Sequence, residues 1–101
     1  MDRRWIKGLE LFKKKEYFEC HEVIENLWLE TPKSDAHREL YQGVIQAAAA
    51  IYQKERGITS GAKGLAKSSI GYLRKYKPKA LGLDVSLVVI QMQNLLKELK
   101  G

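Results

Sequence analysis

Apolar positions recur at helical spacing along almost the whole chain. Trp5, Leu9 and Phe12 fall at i, i+4, i+7 with Ile6 beside them, which predicts an amphipathic helix over residues 3–14. Lys13-Lys14-Lys15 adds positive charge to its last turn, where the helix dipole favours cations. A second helix is expected over 16–30, ended by Thr31-Pro32 because the residue before a proline avoids the α region. Ser34 or Asp35 can cap a long third helix that runs to Arg56, with Gly57 as a left-handed stop. Thr59 or Ser60 caps a fourth that extends to about Tyr76 and is stopped by Pro78; Asp84 caps a fifth through Val85, Val88, Val89, Met92, Leu95, Leu96 and Leu99.

The third helix is unusual around its whole circumference. One arc carries Leu40, Tyr41, Val44, Ile45, Ala48, Ile51 and Tyr52, and the opposite arc carries Gln42, Gln46 and Gln53 among Gly43, Ala49 and Ala50. Small residues beside glutamines predict close packing by another helix, with amides directed at polar groups. This makes it the central helix. Gly61, Gly64 and Gly71 lower the propensity of the fourth helix, and close packing is the expected reason for them.

The second helix carries the candidate chemistry. His21 and Glu25 share a face, with Tyr17, Ile24 and Trp28 to one side and Phe18 and Leu29 to the other. Two ionisable groups thus fall on an apolar stripe, where burial is costly unless each finds a partner. Gln46 is the expected partner. A zinc site needs a further ligand, and only His37 remains as imidazole, so if a metal binds its ligands begin with His21 and Glu25. A His–carboxylate pair can also serve acid–base catalysis, though no nucleophile accompanies it: Cys20 points about 100° away around the helix. The remaining readings are a structural pair that fixes helix docking and a pocket for a small ligand or protein partner.

Composition narrows the class without naming a function. The chain has 101 residues, enough for one modest core, and the expectation is a single domain over 1–101. One cysteine cannot form an intrachain disulfide and fits a reducing cytoplasm. No apolar run is long enough for a membrane span, and the first residues lack the pattern of a signal peptide. Net charge is +6 and unevenly spread: residues 16–39 hold seven acids against two bases, residues 54–79 eight bases against one acid. That asymmetry favours homo-oligomerisation as well as an anion-binding surface. Lys63, Lys67, Arg74, Lys75 and Lys77 are the candidate anion-binding residues, and nucleic acid is the partner they would suit. Cations near a helix end also answer the dipole, so that partner is not the favoured one.

Three stretches carry a family resemblance: Phe18-Glu19-Cys20-His21-Glu22-Val23-Ile24-Glu25-Asn26-Leu27-Trp28, Tyr41-Gln42-Gly43-Val44-Ile45-Gln46-Ala47-Ala48-Ala49-Ala50-Ile51-Tyr52, and Gly61-Ala62. With them the chain resembles a prokaryotic family known as domain of unknown function 309. The resemblance implies a compact all-helical domain with no established activity, and it places the family's characteristic polar residues on His21, Glu22, Glu25 and Gln46, beside Trp28. Two positions depart from it. Lys15 stands where the family often has a glycine, so the first turn is expected to be built differently. Gln53 stands where a histidine often follows the tyrosine of the central helix.

The reading is therefore an all-α bundle of about five helices around a central third helix. Its preferred function is non-catalytic binding or scaffolding through His21, Glu22, Glu25, Trp28 and Gln46, with no cofactor required. The rival is a hydrolase-type enzyme using His21 and Glu25, with or without a metal. Nucleic-acid binding through the basic fourth helix is the second alternative.

Overall fold

The computed structural model describes residues 1–100. Five helices follow one another: α1 (Arg3–Lys13), α2 (Tyr17–Glu30), α3 (Arg38–Glu55), α4 (Thr59–Leu73) and α5 (Val85–Glu98). A single 3-10 turn, Arg74–Tyr76, extends α4, and a two-residue antiparallel ladder, β1 (Lys79–Ala80) with β2 (Leu83–Asp84), leads into α5. The all-α class with a central third helix holds. α3 packs on α2 and α4 and reaches α5, while α1 lies against α2.

Local chemistry explains most boundaries. Asp2 caps α1 by accepting from the Arg4 amide at 2.8 Å, and Asp84 caps α5 by accepting from the Leu87 amide at 3.0 Å. Asp35 accepts from the His37 amide at 2.8 Å, but the helix proper starts only at Arg38. Gly57 takes the left-handed conformation (φ +78) that closes α3. Lys15 takes the same conformation (φ +63), so the first turn is built as a glycine would build it, at a cost of about 1 kcal/mol for the side chain. Ile58, not Thr59 or Ser60, holds the cap position of α4, and no side chain caps it.

The core is lined by Trp5, Cys20, Ile24, Leu40, Val44, Leu73, Val85 and Met92, all at most 1% exposed. α3 and α4 cross closely, where the buried Ser69 hydroxyl donates to the Gly43 carbonyl at 2.7 Å. The expectation of close packing is met at Gly43 and fails on α4. A Cβ at Gly43 would stand 2.5 Å from Leu73 Cδ2, whereas one at Gly64 or Gly71 would meet open space, and one at Gly61 only ordinary contact with Ile58. Those α4 glycines sit on a flank that no helix covers.

The β-ladder was not expected. Its two-residue loop, Leu81-Gly82, has positive φ at both positions (+46 and +79), as a tight hairpin needs. Leu81 is held there by the Trp5 indole N–H, which donates to its carbonyl at 2.8 Å across 76 residues of sequence.

Candidate functional site

α2 buries Tyr17, Cys20, Ile24 and Leu27, at i, i+3, i+7 and i+10. That stripe is rotated from the one assigned by pattern alone. α2 carries apolar residues over about two thirds of its circumference, so hydrophobicity could not choose which part of that arc turns inward. Two consequences follow. Cys20 belongs to the core, and burial pushes its thiol pKa up to about 12, far from the range of a reactive thiolate. His21 and Glu25 lie at the solvent edge instead of in the interior, with side chains 30% and 46% exposed.

His21 Nε2 and Glu25 Oε2 are 3.6 Å apart, an ion pair when the imidazole is protonated and slightly beyond hydrogen-bond length. Gln46 bonds neither of them; its Oε1 is shielded from solvent and without a partner. The Gln53 Oε1 and the Trp28 indole N–H share that state. All three atoms lie on α2 or α3, whose packed faces form one seam. The Arg38 guanidinium covers the Trp28 ring, 4.3 Å from its centroid, while its Nε donates to the Thr31 carbonyl at 3.0 Å. Arg38 thereby ties the α2–α3 connection to both helices.

Phe18, His21, Ala49, Tyr52 and Gln53 line a depression of about 130 Å³ on this seam. Phe18 stacks obliquely on Tyr52, with ring centroids 5.3 Å apart. Glu22 is exposed beside it. On the helix, Phe18, Glu22, Glu25 and Leu29 share an arc of about 60°. Phe18 is 43% exposed and Leu29 64% exposed, so this outer stripe of α2 presents large apolar groups at both ends and two carboxylates between them. Pattern reading placed Phe18 and Leu29 on the flank of the buried face. Their spacing of three turns, with acids between, was the signal for a displayed surface.

Chemically, an imidazole beside a carboxylate can bind or relay a proton. Among the described residues no cluster of three or more His, Cys, Asp or Glu could hold a metal ion. The basic residues do not converge on one site. Lys75 is paired with Glu39, while Lys63 and Lys67 lie beside Leu96 and Lys100. Arg74 and Lys77 are exposed within and after the 3-10 turn. A separate groove between α1 and α5, lined by Leu9, Phe12, Leu83 and Leu87 and by Lys13 and Lys15, measures about 280 Å³. Among the described residues no helix is long and apolar enough to cross a membrane.

The sequence model of a family described as "Domain of unknown function (DUF309)" matches residues 5–65, which include most of α1, all of α2 and α3, and the seam. The chain belongs to this family. It is similar to the uncharacterized protein YpuF of Bacillus subtilis (strain 168), 35% identical over 94 residues. The matched region is 91% of this chain and 53% of YpuF, so the chain spans about half the length of that relative. The DUF309 match holds His21, Glu22, Glu25, Trp28 and Gln46, and it stops within α4, ahead of the hairpin and α5.

Proposed function

We propose that this domain is a non-catalytic binding module that docks another polypeptide along the outer stripe of α2 and the adjoining edge of α3. The observation that carries the reading is the display of Phe18 and Leu29 around Glu22 and Glu25. A large apolar side chain on a helix surface gains free energy when covered. The pattern suits an amphipathic segment bearing apolar and basic side chains. A cytoplasmic location agrees with the lone free thiol.

The test uses a photo-cross-linking amino acid at position 18 of the full chain in its native host, with position 94 on the outer side of α5 as control. A discrete adduct at 18, lost with Glu25→Lys and absent at 94, supports docking. Equal labelling at both positions, or none at 18, overturns it. His21→Ala and Glu25→Ala keep the test specific, because a half-exposed i, i+4 pair contributes only about 0.5 kcal/mol to stability. Both variants are expected to fold and melt within about 4 °C of the parent while losing the adduct. A much larger loss of stability would assign the pair to the scaffold.

A further inference from the structure

The groove between α1 and α5 is separate from the α2 stripe, and its chemistry is different. Leu9, Phe12, Leu83, Leu87 and Val88 form apolar walls over about 280 Å³. Lys13 and Lys15 line the same groove, and among the described residues neither takes part in an ion pair. The one acid there, Asp84, has its carboxylate engaged by the Leu87 amide at 3.0 Å, so its charge is turned to the start of α5. Lys15 sits at a left-handed position (φ +63) that favours glycine, so a long cationic side chain is kept beside the groove against the preference of the backbone.

We propose that this groove binds an anionic amphiphile, a medium-length aliphatic chain that ends in a carboxylate. The chain lies along Leu9, Phe12 and Leu87, and the carboxylate lies between the ammonium groups of Lys13 and Lys15. At about 30 Å³ for each water-sized unit, the volume accepts roughly nine such units, which selects a medium chain over a long one. Leu87 is 53% exposed, and the bound chain covers it. Apolar contact carries the affinity, and the two lysines select the head group.

Calorimetric titration of the intact protein with monomeric decanoate tests this, with decanol and acetate as the chain-only and charge-only probes. Decanoate is expected to bind one to one, decanol roughly fivefold or more weakly, and acetate not measurably. Raising the salt concentration narrows the gap between decanoate and decanol. Lys15→Gly is the decisive variant. It is expected to raise the melting temperature, because it relaxes the left-handed turn, and to weaken decanoate about fivefold. Leu87→Asp, at an exposed position, is expected to fold and to abolish binding. The proposal is overturned if Lys15→Gly raises stability with affinity unchanged, or if decanoate and decanol bind alike. Binding confined to phosphatidylglycerol vesicles, with none to the monomer, overturns it as well, since that assigns the lysines to a membrane surface. Competition of a basic amphipathic peptide for the groove, with decanoate inert, overturns it too.

Discussion

A methyl group added at Gly43 would stand 2.5 Å from Leu73 Cδ2 and 2.7 Å from Leu73 Cγ, where α3 and α4 touch through Ser69. Leu73 is wholly buried and cannot swing away. Gly43→Ala is therefore expected to cost about 2 kcal/mol, whereas Gly64→Ala and Gly71→Ala, in open space within a helix, are each expected to gain about 0.5–1 kcal/mol. Thermal melts of the three variants should move in opposite directions. The same letter thus has opposite meanings at two kinds of site, and sequence spacing could not tell them apart. Cys20 makes a related point about pH. Its thiol pKa is raised from 9.0 to about 12, so the folded state favours the neutral form. Its contribution is complete below pH 9 and falls away as pH rises toward 12. Denaturant titrations from pH 8 to 11 should show stability falling, and Cys20→Ala should flatten that slope.

At the scale of elements, the helices were legible because each carries a strong apolar period and a stop. Pro32, Gly57 and the Asp84 cap fall where the structure breaks. The hairpin was not legible, because Leu81 is not among the residues usual at the first left-handed position of such a loop and is held from outside by Trp5. The site was legible as residues but not as a surface. His21 and Glu25 do meet, yet α2 is rotated so that Cys20 and Ile24 are inward and the pair is at the edge. Gln46 is the partner expected for that pair because glutamines among small residues on a central helix imply amides directed at polar groups, yet it bonds neither His21 nor Glu25. Which of two apolar arcs is buried depends on the neighbouring helix, and a single helix does not encode it. The α4 cations scatter for the same reason: Lys75 is drawn to Glu39, an acid that only the folded arrangement brings near.

Across the whole molecule, the region that matches DUF309 and the folded core do not end together. The match closes at residue 65, inside α4, while Leu73, Val85, Val88 and Met92, all 3% exposed or less, complete the interior beyond it. A chain cut after residue 65 would leave Gly43 without Ser69 and Leu73 against it and is expected to lose cooperative unfolding, which calorimetry would show. The Trp5–Leu81 bond joins the two ends of that interior. A buried donor left without its acceptor costs about 1–3 kcal/mol, but Trp5→Phe removes the donor and leaves a carbonyl at the surface of the hairpin. The expected loss is therefore mainly that of filled volume, about 2 kcal/mol. That one bond also makes the protein its own optical gauge. The Trp5 indole is fully shielded and polarised by a carbonyl, while the ring of Trp28 lies under a guanidinium. The two fluorophores report different places: a red shift from Trp5 marks parting of the first helix from the hairpin, and brightening of Trp28 marks release of Arg38 from the α2–α3 seam. Emission spectra of the two single-tryptophan variants would follow the contact of α1 with the hairpin and the seam separately, without an added label.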